Sequence, residues 1–108
     1  MTDIIQQLYQ VLLQRKMASA DSSYVASLYD AGIDTILKKI GEEATETVIA
    51  GKSGEQEAII YETADLWFHS LVLLAHRDIP PQQVFDELNR RFGLSGIEEK
   101  ANRGKTND

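Results

Sequence analysis

Apolar residues recur at three- and four-residue intervals along almost the whole chain. That is the period of a helix with one buried stripe, and alternating strand-type patterning is nearly absent. The expectation is an all-α fold, an antiparallel helical bundle. Ile4, Ile5, Leu8, Val11, Leu12 and Arg15 mark a first helix over about residues 3–17, which Thr2 or Asp3 can cap. Residues 18–23 are a small polar connection. Asp21, Ser22 and Ser23 can cap a short helix over 24–31, which Gly32 ends. Ile33, Ile36, Leu37, Ile40, Ala44 and Val48 predict a long helix over 33–50, stopped by Gly51. Ser53 with Gln56 three residues later matches a capping box and opens another long helix, to about Arg77. This one is apolar on most of its circumference, the mark of a central, buried helix. Pro80 and Pro81 begin a further helix with Val84, Phe85, Leu88 and Phe92 on its inner side, and Gly93 stops it. Ser95 and Glu98 form a second capping box before a short helix over 96–102. Residues 1–103 read as a single domain and 104–108 as a flexible tail.

Length and charge narrow the function. The 108 residues suit one domain with a modest core. A formal net charge of −6 argues against nucleic acid, whose binding rests on Lys and Arg neutralising phosphates. With no cysteine, a metal site has only oxygen or imidazole ligands. No targeting segment is visible, and the apolar run 66–75 is about half the ~20 residues of a membrane span. A cytoplasmic protein that engages neither membrane nor nucleic acid is expected.

The acidic residues break the apolar pattern. Glu42, Glu43 and Glu46 lie on the 33–50 helix, with Glu43 at the edge of its stripe and Glu46 next along that side. Glu62 and Asp65 lie three residues apart inside the most apolar helix, and His69 shares their strip. A buried carboxylate is costly unless something neutralises it. Antiparallel packing across a short loop brings Glu43 and Glu46 against Glu62 and Asp65. There they repel and raise one another's pKa unless a hard cation sits between them. Mg²⁺ suits an all-oxygen set, with Mn²⁺ as a substitute. A di-iron carboxylate bundle requires Glu-x-x-His on two helices, and no imidazole stands at the third position here. Lys39, one turn before Glu43, can hold phosphate. So can Lys100 and Arg103 from the far end of the chain. Lys38 and His69 are candidates for supporting contacts around the ligands. The ordinary reading of each remains available: solvated acids, a surface ion pair, a satisfied core histidine.

Glu42-Glu43-x-x-Glu46 followed by Glu62-x-x-Asp65 resembles the acidic signature of the MazG-like all-α nucleotide pyrophosphohydrolases. The segments SSYVASLYDAGIDTILKKIGEEATETVIAGK and ETADLWFHSLVLLAHRDIPPQQVFDELNRRFGLSGIEEKANR are similar to the phosphoribosyl-ATP pyrophosphatase branch of histidine biosynthesis. The likeness runs from about Leu8 to Arg103. It implies Mg²⁺-dependent hydrolysis of phosphoribosyl-ATP to phosphoribosyl-AMP and pyrophosphate, by a cytoplasmic homodimer. It carries the metal ligands onto Glu43, Glu46, Glu62 and Asp65, leaving Glu42 to position water or bind a second ion. Either Glu42 or Glu46 is then the catalytic base. A house-cleaning nucleoside triphosphate pyrophosphatase shares this chemistry with a different base and sugar pocket. A non-catalytic helical interaction module is the reading outside enzymes. Homodimerisation has its own rationale, because a helix apolar all round needs more cover than five short helices supply.

Overall fold

The computed structural model describes residues 3–92. Within them the chain is helical throughout, with no strand: α1 (Asp3–Gln14), a 3₁₀ turn (Arg15–Met17), α2 (Tyr24–Ala31), α3 (Ile33–Ser53), α4 (Gln56–His76) and α5 (Pro81–Arg90). Gly93, the second capping box, the 96–102 helix, Lys100, Arg103 and the 104–108 tail all lie outside the described residues.

The fold is organised by the α3–α4 hairpin, whose helices make the most extensive contact in the molecule. Two helices of 21 residues joined by Gly54 and Glu55 must run antiparallel. α1 packs on α4, α2 on α3 and on the 3₁₀ turn, and α5 reaches α1. The core gathers where these meet. Tyr9 and Leu12 from α1, Val25 and Leu28 from α2, Ile36 from α3, and Leu71, Val72 and Ala75 from α4 are buried together.

The helix boundaries differ from expectation at two places, each for a local reason. Gly51 is the last glycine before an apparent loop, yet α3 continues through it to Ser53. Gly54 is the residue in the left-handed region, at φ 76°, and its N–H bonds the carbonyls of Ala50 and Gly51. A helix end needs its glycine where φ turns positive, and that place is three residues later. The expected Ser53 capping box does not form, because Ser53 is still the last residue of α3: its hydroxyl donates back to the Ala50 carbonyl at 2.7 Å and accepts from the Glu55 N–H at 3.3 Å. Glu55 starts α4 with no side-chain cap. Ser23 does cap α2, accepting from the Ala26 N–H at 3.1 Å, and Gly32 ends it at φ 101°.

α4 closes differently. Asp78 takes the left-handed position, φ 57°, that glycine usually fills. The Asp78 N–H returns to Ala75 O and the Ile79 N–H to Leu74 O, a Schellman closure. The Asp78 carboxylate meets Lys16 Nζ at 2.7 Å and ties this end to the 3₁₀ turn.

The buried faces are rotated from the apolar stripes. On α1, Tyr9 and Leu12 are buried, while Ile4 and Val11 are exposed, as is Arg15 in the 3₁₀ turn. On α3 the inner face is Ile36, Glu43 and Ala50, whereas Leu37 and Val48 point outward. Glu43 is therefore at the centre of the buried face, not its edge. By length and composition α4 could cross a membrane. It carries Glu62, Asp65 and His69 and is the helix on which α1 and α3 pack.

Candidate active site

The hairpin register builds the site. The Thr47 hydroxyl bridges the two helices, in reach of the Glu43 carbonyl on α3 at 2.8 Å and the Glu62 carbonyl on α4 at 3.2 Å. That fastening sets Glu43 beside Asp65 and Glu46 beside Glu62. Carboxylate oxygens of Glu43, Glu46 and Glu62 lie within 4.8 Å of one another. A second group within the same limit joins Glu43 to Asp65 and His69. Glu43 belongs to both, and it is only 8% exposed.

Among the described residues, electrostatics mark the cluster as short of positive charge. Burial pushes the Glu43 carboxyl above its usual range, and the neighbouring Asp65 pushes it further. Glu62 is raised by desolvation, then by Glu46 and Asp65. The cation at hand is Lys39, at 3.4 Å from Glu42 and 3.9 Å from Glu43. Its ammonium is held charged by the nearby Tyr24 oxygen and, after that, by Glu42 and Glu43. One lysine on the rim does not balance this many acids. A buried carboxylate beside three others, all offering oxygen, is a donor set that fits a hard divalent cation.

His69 is 3% exposed, and its two nitrogens are already engaged. Nδ1 faces the Asp65 carbonyl oxygen at 2.8 Å. A carbonyl only accepts, so Nδ1 carries the proton. Nε2 is then the acceptor for the Tyr24 hydroxyl, at 2.8 Å. Phe68 packs edge-on against the same ring. With both ring nitrogens engaged, His69 has no lone pair to offer, and the oxygen donors that remain in the two groups are those of Glu43, Glu46, Glu62 and Asp65. Glu42 stands at the exposed side, paired with Lys39. Lys38 is exposed and forms no ion pair with these acids.

Tyr24 is the residue that the sequence reading missed. It served there only as the first residue of a short helix. In the structure its hydroxyl reaches from α2 to α4 and lies in the field of Lys39, Asp65, Glu43 and Glu42. Its partner is 45 residues away, which no local spacing rule reveals.

Known proteins resemble this chain over nearly its whole length. The family model described as phosphoribosyl-ATP pyrophosphohydrolase matches residues 5–92. A protein of Geobacter metallireducens named phosphoribosyl-ATP pyrophosphatase is 65% identical over 103 residues, covering 95% of this chain and 94% of its own length. One of the same name from Trichlorobacter lovleyi is 66% identical over 100 residues, 93% of each chain. Another, from Methylococcus capsulatus, is 61% identical over 101 residues, 94% of this chain and 96% of its own. With a matching family model over most of its length and full-length relatives at this identity, the chain belongs to the phosphoribosyl-ATP pyrophosphohydrolase family.

Proposed function

We propose that this chain is an enzyme of histidine biosynthesis that hydrolyses phosphoribosyl-ATP to phosphoribosyl-AMP and pyrophosphate, in the cytoplasm, with Mg²⁺ as its metal and Mn²⁺ as a substitute. The observation that carries the metal assignment is the convergence of Glu43, Glu46, Glu62 and Asp65 around a buried carboxylate, with one lysine nearby. Glu43, Glu46, Glu62 and Asp65 would hold the ion. When bound, the cation supplies positive charge to the phosphate oxygens, offsetting what develops in the transition state.

The reaction adds water across the α–β phosphoanhydride. The water oxygen bonds to the α-phosphorus, the bridging oxygen leaves with pyrophosphate, and a carboxylate takes the water's proton. Glu42 and Glu46 are the candidates for that base, because both are exposed to incoming water at the rim of the cluster. Lys39 holds the phosphates as a point charge, as do Lys100 and Arg103 in this reading. His69 Nδ1 lies 3.4 Å from Asp65 Oδ1, and its Nε2 takes the Tyr24 hydroxyl, so the ring steadies the Asp65 carboxylate and ties it to α2.

A homodimer belongs to the same proposal. Ile60, Tyr61 and Trp67 on α4 are 59–68% exposed, and Val48 and Ile49 on α3 are 71% and 64% exposed. Large apolar side chains in this number on the central hairpin call for cover, and a second copy is the occupant that symmetry favours.

A pyrophosphate-release assay with phosphoribosyl-ATP tests the function. Turnover that depends on Mg²⁺ and exceeds turnover of dUTP and dCTP is expected. Preference for those nucleotides would replace the assignment with a house-cleaning activity. Absence of release from any nucleotide would leave only an interaction module.

A further inference from the structure

We infer that the cleft between the 3₁₀ turn, the 18–23 connection and the start of α2 is a subsite for a phosphosugar, built by Arg15, Ser23 and Tyr24 to take the phosphoribosyl end of the substrate. This rests on the activity proposed above.

The cleft has a volume of about 450 Å³, and its walls are Arg15, Ala18, Ser22, Ser23, Tyr24, Val25 and Phe68. That is within the range of small-ligand sites. Its chemistry is the reverse of the acidic cluster. Among the described residues no carboxylate lines it. Arg15 forms no ion pair with any of them, although the chain carries a net charge of −6. Ser23 Oγ accepts from the Ala26 N–H, which leaves its proton free to donate. The first N–H groups of α2 open here, where a helix has no internal acceptors for them. Ser22 donates to the Ser19 carbonyl at 3.1 Å, so its oxygen is left to accept from a sugar hydroxyl. Ala18, Val25 and the Phe68 ring supply an apolar floor for the sugar ring.

Tyr24 joins the two sites. It walls the cleft, and its hydroxyl bonds His69 beside Asp65. Phosphoribosyl-ATP carries a triphosphate at one end and a phosphate monoester on a second ribose at the other. The carboxylates receive phosphate only through a cation, whereas the guanidinium and hydroxyl of the cleft receive one directly. The monoester is also the group that ordinary ATP lacks. A site that holds it therefore separates the two substrates.

The test uses the full-length protein with Mg²⁺ and the variants Arg15→Gln and Arg15→Lys. Arg15 is exposed and has no ion-pair partner among the described residues, so folding is retained, as circular dichroism will verify. For Arg15→Gln the KM for phosphoribosyl-ATP should rise about tenfold with kcat within about threefold, the signature of lost ground-state binding. Arg15→Lys should recover part of it. Ribose 5-phosphate should compete with substrate in the wild type and lose that effect in Arg15→Gln. An unchanged KM, or a fall in kcat alone, overturns the subsite. Equal competition by inorganic phosphate reduces it to an anion site with no sugar recognition and overturns the assignment to a phosphosugar. A wild type that does not turn over phosphoribosyl-ATP sinks the proposed activity itself; a wild type that does, beside an unaffected Arg15→Gln, sinks only the cleft.

Discussion

Glu43 on α3 and Glu87 on α5 are the same side chain in opposite surroundings. Glu87 accepts from Arg90 at 2.7 and 3.0 Å and from Arg91 at 2.9 Å. Those guanidiniums hold its carboxyl down to about 2. Among the described residues Glu43 has a single lysine at 3.9 Å, three acidic neighbours and little solvent, and its carboxyl is pushed up. One helix satisfies its acid from within its own last turns. The hairpin collects acids from two helices and, among the described residues, leaves them short of positive charge. A surface carboxylate that is neutralised locally needs nothing more; a buried one left this way marks a place for a cation from outside.

The largest expected effect comes from removing a proposed ligand. Glu62→Ala or Glu43→Gln should lower pyrophosphate release at least about a hundredfold, the scale of losing a group that stabilises transition-state charge, with helicity retained by circular dichroism. Unchanged turnover in either variant would take that residue out of the site. Chelation should abolish turnover in the wild type as well, and Mg²⁺ or Mn²⁺ should restore it.

Tyr24→Phe comes next. It leaves His69 Nε2 as a buried acceptor without a donor, which costs about 1–3 kcal/mol and lowers Tm by several degrees. A Tm equal to wild type would deny that this hydrogen bond stabilises the fold.

A smaller effect separates the two glutamates by pH. Raised carboxyls bind protons more readily in the folded state than in the unfolded one. Their contribution therefore falls as pH rises from the ordinary glutamate range through the raised values of Glu43 and Glu62. Mg²⁺ should remove that penalty, so its shift of Tm should be larger at pH 7.5 than at pH 5. An equal shift at both would mean that these carboxyls are not its ligands. Glu87 runs the other way: its contribution is present above the ordinary range and lost as pH falls toward about 2. Its exposed ion pairs are worth little. Glu87→Gln should leave turnover unchanged, the smallest effect of the series.

Much of this was legible in the residues. The period of the apolar positions pointed to five of the helices, and the acids interrupting a central helix pointed to the candidate site. What was not legible has physical causes. The orientation of α3 is set by pairing with α4, so Glu43 and Ala50 face inward while the more apolar Leu37 and Val48 face out. Counting only apolar residues cannot find a buried face whose centre is a carboxylate. The end of α3 depends on which glycine turns to positive φ, and Gly51 and Gly54 are both eligible by composition. Tyr24 and Arg15 acquire meaning only when α2 and the 3₁₀ turn are set against α4, a contact between distant parts of the chain.

The most direct measurement is a Mn²⁺ binding titration, read by electron paramagnetic resonance, on the wild type and on Glu43→Gln, Glu62→Gln and Glu87→Gln. Saturable binding in the wild type and in Glu87→Gln, weakened at least about tenfold in the other two, is the predicted result. Equal binding in all four proteins would contradict the claim that the hairpin carboxylates hold the ion.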